Sequence, residues 1–323
     1  MTERITSQMQ ANNTISTIDN DLNNLDTIQE QLSTGYRINE ASDDPFGASL
    51  TLRLNGQITQ YGAYTQSISQ GTSWSQTTST ALNSIESVTQ SIRELTVEAA
   101  NGPMNQTDLS SAASEVLAYI QQIKQTADTQ YDGAYVFAGT ATDTEPWSTT
   151  TTASDTGAQD AFQGNTSAIS YSIGPSSTQQ INANLYDVLG DGAGQAGPFT
   201  AGSAGATGAG GLLTTLRQVY DDMTGANGGS QSDLTAQLSN IDANLSALQD
   251  LQSQVGATQD CLKLASAQIT NLTTAATTQL GSVEDVDIAS ATVEYQTDSA
   301  TYEAALESSA DIIKTSLMNF LDT

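Results

Sequence analysis

Two neighbouring aspartates, Asp43 and Asp44, stand in the stretch LSTGYRINEASDDPFGASLTLRL from Leu32 to Leu54 and are the first residues whose type could do chemistry. A carboxylate pair does acid–base work when its members face each other across a substrate, and adjacent side chains on one loop rarely do. Asp19, Asp21, Asn23 and Glu30 fall at positions 1, 3, 5 and 12 of a calcium loop. Position 6 of such a loop needs glycine for its sharp turn, and here it is Asn24. The run GAGQAG, Gly192 to Gly197, spells a dinucleotide fingerprint but runs into Pro198 with no helical pattern behind it. Histidine is absent and Cys261 is the only cysteine, so a His-based triad, a Cys/His zinc site and an intramolecular disulfide are all excluded. These signals predict no catalytic residue, no metal site and no cofactor.

A structural role accounts for more of the same stretch. Gly35 is placed to end one helix, Asp44 to cap the next, and Pro45 to occupy the first helical position, where its missing N–H costs nothing. Gly35, Arg37, Asp43, Asp44 and Pro45 therefore read as a joint between helices, with Arg37 placed to bond the acidic loop or a neighbouring subunit. Cys261 and the two tryptophans, Trp74 and Trp147, read as packing residues.

The elements around that joint are long. Ala11, Ile15, Ile18, Leu22, Leu25 and Leu32 form a heptad stripe near the N-terminus, and Tyr302, Leu306, Ile313, Leu317, Phe320 and Leu321 form another at the C-terminus. Ile241, Leu248, Val255, Leu262, Ile269, Ala276 and Val283 recur every seven residues, which asks for partner helices along one seam. Ile85, Val88, Ile92, Leu95 and Ala99, then Leu109, Ala112, Val116, Ile120, Ile123 and Ala127, make two helices joined at NGPMNQTD, with Thr107 or Asp108 as cap. From about Thr140 to Gly211 the chain turns to Ser, Thr, Gly and Ala, and AFQGNTSAISYSIG reads as two short strands around Gly164 and Asn165. STTTTAS and the Gly-rich run ending at Gly211 read as loops.

The expected fold class is mainly α: an elongated helical bundle or coiled coil built from both termini, with an inserted β-rich outer domain. Its parts are a terminal coiled coil (1–42 with 285–323), a helical rod (43–139 with 212–284) and the insert (140–211). The chain of 323 residues carries 36 acidic and 8 basic residues, a net charge of −28. That charge argues against nucleic acid and anionic membrane as partners, since both require a basic surface. No run of about 18 apolar residues occurs, so no membrane insertion is expected. The start, MTERITSQMQANN, has no apolar h-region, so a cleaved signal peptide is not expected either.

The stretch from Leu32 to Leu54 resembles the N-terminal signature of bacterial flagellins and of the hook-associated protein 3 family, the hook–filament junction proteins. The resemblance rests on Leu32, Ser33, Thr34, Gly35, Arg37, Ile38, Asp43 and Asp44. YDGAYVFAGTATDTEPW, the Asp-Asp-Pro of Asp43 to Pro45 and the ending TSLMNFLDT are similar to the junction family more than to filament flagellin. The resemblance implies an extracellular structural protein of the flagellum, not an enzyme, exported through the flagellar type III apparatus. It further implies self-association in a ring, neighbours that include hook-associated protein 1 and flagellin, and an export chaperone at the C-terminal helix. Flagellin itself, and less so a secreted adhesin, are the alternatives. The terminal residues Ile15, Ile18, Leu22, Leu25, Leu32, Tyr302, Leu306, Ile313, Leu317, Phe320 and Leu321 are the expected assembly interface.

Overall fold

The structure is a computed structural model that describes residues 2–102, 104–147, 162–190, 211–226 and 230–321, with side chains described at Met9 and from 12 to 310. GAGQAG and STTTTAS lie outside the described residues, as do the side chains of Ala11, Ile313, Leu317, Phe320 and Leu321. The chain divides into two compact units, Met1–Tyr61 with Asn271–Thr323 and Gly62–Thr270. Seven α-helices occur among the described residues: α1 Thr2–Thr34, α2 Pro45–Asn101, α3 Gln106–Ala127, α4 Tyr186–Leu189, α5 Leu212–Thr224, α6 Leu234–Glu284 and α7 Ile288–Leu321. The fold is mainly α, as the heptad patterns predict. No helix among the described residues is long and apolar enough to cross a membrane.

The first unit is built on α1 packed against α7. Ile28 of α1 and Ala291 of α7 are buried, while Ile18, Leu25, Leu32 and Tyr302 are half-buried. The covered positions of α1, Thr14, Ile18, Asp21, Leu25, Ile28 and Leu32, alternate in steps of four and three, so the heptad seam runs through Ile28 and leaves Ile15 and Leu22 outside it. The calcium-like residues Asp19 to Glu30 lie inside continuous helix α1, which spreads them around the helix rather than around an ion.

The second unit holds the apolar core. Ile85, Val88, Ile92 and Ala99 of α2 meet Leu109, Val116, Ile120 and Ile123 of α3, with Leu212, Leu213, Leu216 and Val219 of α5 and Ile241, Leu248 and Val255 of α6. Burying each of these Leu or Ile side chains contributes about 1.5–3 kcal/mol. Thr78, Thr89 and Thr96 lie buried in α2, and each hydroxyl donates to the carbonyl four residues earlier, so small polar residues enter the seam without an unmet bond. Arg93 clamps Asp242 with two guanidinium nitrogens, tying α2 to α6. At the start of α3 the cap is Asn105 rather than Thr107 or Asp108. Its side chain accepts from the N–H groups of Thr107 and Asp108 at 2.8 and 3.0 Å, and Asp108 completes a capping box.

The inserted segment holds little β-structure among its described residues. Ahead of it, the antiparallel pair β1 (Gln130–Tyr131) and β2 (Ala134–Tyr135) turns through Asp132 and Gly133 at φ +52° and +78°. A second pair, β3 (Ser170–Gly174) and β4 (Ser177–Gln180), turns at Pro175 and Ser176, not at Gly164 and Asn165. Asn165 instead accepts three bonds at one side-chain oxygen, from the Thr140 N–H and hydroxyl and the Ser167 N–H, and so ties the two sides of the insert together. Two short hairpins cannot make a core alone. Ile181, Ala183, Leu185, Val188 and Leu189 accordingly bury into the helical core.

Candidate assembly interface

The joint expected from Gly35 to Pro45 gathers four helix ends within the first unit. Gly35 ends α1 in the left-handed region at φ +80°, its N–H donating to the Gln31 carbonyl at 2.8 Å. This is the conformation a glycine cap supplies at low cost. The linker then runs beside the turn between α6 and α7. The Arg37 N–H donates to the Glu284 carbonyl at 2.6 Å, and the Val286 N–H donates to the Gly35 carbonyl at 3.0 Å.

Charge and caps fix the remaining ends. The Arg37 guanidinium donates to the Val283 carbonyl at 2.9 Å and reaches Asp44 Oδ2 at 3.4 Å, placing a cation at the end of α6 where unpaired carbonyls gather. Asp44 Oδ1 accepts from the Gly47 N–H at 2.9 Å at the start of α2. That bond, with Arg37 assisting, holds the Asp44 carboxyl below its ordinary range. Asp287 caps α7, accepting from the N–H groups of Ala289 and Ser290 at 3.0 and 3.2 Å. Asp43 accepts from the N–H groups of Asn39 and Glu40 at 3.0 and 2.8 Å. Both neighbouring aspartates are thus occupied with backbone, and neither faces the other across a cleft.

Gly47 is a residue that sequence reasoning passed over. It is buried, and a Cβ there would sit 2.5 Å from both Asp44 Oδ2 and Ile38 Cδ1. The packed Asp44–Ile38 corner needs its hydrogen. Nothing in the sequence marks it beyond its place three residues after a cap.

Around the joint the first unit leaves apolar surface open. Ile15, Leu22 and Leu306 are 51%, 42% and 43% exposed. Phe46, Leu52, Ile288 and Val293, none of them anticipated, are 81%, 74%, 62% and 65% exposed. Among the described residues, Leu264 alone of the exposed large apolar side chains belongs to the second unit. Single exposed apolar residues are ordinary, whereas such a concentration in one unit is the pattern expected of an interaction surface.

Comparison with known proteins agrees with this architecture. Residues 5–142 match the bacterial flagellin N-terminal helical region, and residues 238–321 match the bacterial flagellin C-terminal helical region. The flagellin of Bacillus subtilis is 28% identical over 315 residues, 94% of this chain and 93% of that protein. Other flagellins match at 36–37% identity over 107–115 residues, and the chain spans only 22–37% of their length. In fold, the chain is similar to a candidate flagellar hook-associated protein from Vibrio parahaemolyticus, with a TM-score of 0.63 and 20% identity, covering 75% of this chain and all of that one. It is also similar to flagellar hook associated protein-3 from Legionella pneumophila, with a TM-score of 0.58 and 14% identity, covering 71% of this chain and 98% of that one. With the flagellin N- and C-terminal helical regions together filling well over half its length, the chain belongs to the bacterial flagellin family.

Proposed function

We propose that this protein is a structural component of the bacterial flagellum that joins hook to filament, and that it assembles by burying the apolar faces of α1 and α7 against neighbouring copies. The concentration of exposed Ile, Leu, Val and Phe side chains in the unit made of both termini carries this reading. An isolated subunit keeps that surface wet, and each side chain buried on assembly contributes a share of about 1.5–3 kcal/mol. The fold shared with hook-associated proteins favours the junction. The joint from Gly35 to Pro45 then fixes the α1 and α7 ends while the outer faces engage neighbours. In this role the protein does no catalysis and sits outside the cell, exported without a cleaved signal peptide. Its partners are further copies in a ring, hook-associated protein 1 and flagellin, with an export chaperone on the C-terminal helix.

A second reading, filament flagellin, is favoured by the likeness to Bacillus subtilis flagellin over nearly the whole of both chains. Labelling the protein on intact flagella separates the two. A single band at the hook–filament boundary supports the junction; label along the whole filament overturns it in favour of flagellin.

A further inference from the structure

Trp147 occupies a position that its burial alone does not explain. Trp147 joins three separate stretches of chain, at Asp128, Phe162 and Gly190. It forms a β-bridge with Phe162, its ring lies 4.9 Å from the Phe162 ring, and its indole Nε1–H donates to the Gly190 carbonyl at 3.1 Å. Gly190 in turn packs backbone to backbone against Gly211, so closely that a Cβ on Gly190 would stand 3.0 Å from the Gly211 Cα. The ring is fully buried.

The backbone of Trp147 is held by one side chain. Its N–H donates to Asp128 Oδ1 at 3.1 Å, from the residue that ends α3. The other oxygen, Asp128 Oδ2, is buried without a hydrogen-bond partner. The charged groups that bear on this carboxyl are Glu145, on the same loop as Trp147, and Lys124, one turn back on α3 and itself fully buried. An ionised Asp128 would put two carboxylates together beside one cation. A protonated Asp128 keeps its bond from Trp147 and gains a hydroxyl that can donate to Glu145.

We propose that Asp128 and Glu145 form a proton-operated latch that holds Trp147, and with it the chain at Phe162 and Gly190, against the end of α3. Burial, reinforced by Glu145 and opposed by the Trp147 N–H and Lys124, pushes Asp128 up to about 7. A solvated aspartate titrates near about 3.9. The closed state therefore binds the proton more tightly than the open state does. Raising pH through the interval between the two values favours opening by about tenfold per pH unit, and above about 7 the closed state has lost its proton too and the dependence flattens. Acid closes the latch, and a rise toward neutral pH loosens it.

Hydrogen exchange of the Trp147, Gln163 and Asn165 amides tests this, because those N–H groups bond to Asp128, Pro146 and Ala138 across the stem. Rates on the full chain are collected between pH 5 and 8.5 and corrected for intrinsic exchange, giving an opening constant at each pH. The wild type should show a slope near one in log units up to about pH 7 and a plateau beyond. Asp128→Asn, whose amide mimics the protonated acid, should be flat and stay closed at pH 8. Glu145→Gln should keep the slope but move its upper end to lower pH. An opening constant independent of pH in the wild type would overturn the latch, as would an unchanged slope in Asp128→Asn. Loss of the slope in Glu145→Gln would equally contradict the assignment of the proton to Asp128.

Discussion

At the joint, single residues act through backbone geometry rather than through chemistry. Gly35 takes a left-handed conformation with open space where a Cβ would go, so any cost of substitution is conformational. Gly35→Val should cost about 1–2 kcal/mol. It should also lower the yield of assembled protein, measured by urea unfolding of the monomer and by pelleting. Gly47 is the opposite case: its backbone is ordinary, and the missing space is the obstacle. Gly47→Ala should disturb the cap, seen as faster exchange at the first turn of α2. Because Asp44 lies below its ordinary range, its bond to the Gly47 N–H contributes above about pH 4 and is lost on further acidification. Asp44→Asn should retain much of the cap and remove that acid dependence. Gly35, Asp44 and Pro45 were legible because each belongs to a known start or stop pattern. Gly47 was not, since its need arises from Ile38, nine residues away and on another segment.

Among the elements, α1 and α7 contrast buried with exposed apolar residues on the same helix. Ile28 is buried and should behave as core: Ile28→Ala is expected to destabilise the monomer by about 2–4 kcal/mol, measured by denaturant unfolding. Ile15, Leu22 and Leu306 are exposed and should behave as interface. Replacing all three by Ser should leave monomer unfolding within about 0.5 kcal/mol of wild type, as surface changes usually do, while assembly fails. A fall in monomer stability comparable to that of Ile28→Ala would mean that these residues pack internally. The heptads announced α1, α6 and α7 because apolar spacing is local. The short α5 went unseen beside its Gly-rich approach, although Leu212, Leu213 and Leu216 fill the core. The hairpin turn was misplaced because Gly164-Asn165 spells a turn, whereas Asn165 is spent holding Thr140 and Ser167.

For the whole molecule, the opposing quantities are a net charge of −28 and the apolar surface of the terminal unit. Repulsion between like-charged copies disfavours contact, and salt screens it over a Debye length of about 10 Å at 0.1 M. Raising salt from about 0.05 to 0.5 M should therefore lower the concentration at which copies associate. An association that weakened with salt would point to ion pairs as the main contacts instead. Charge and composition argued against nucleic acid and pointed away from catalysis, but no sequence pattern marked Phe46, Leu52, Ile288 and Val293 as exposed. Their exposure depends on where α1 and α7 leave each other uncovered, which only the packed unit defines.

The central claim is that the flagellum buries what the subunit leaves wet. Hydroxyl-radical footprinting of Leu22, Phe46, Leu52 and Leu306, compared between the dilute monomer and intact flagella, tests it most directly. Oxidation of all four should fall severalfold on assembly, while Leu264 of the second unit serves as an exposed reference within the same chain. Equal oxidation of the four residues in both states would contradict the account.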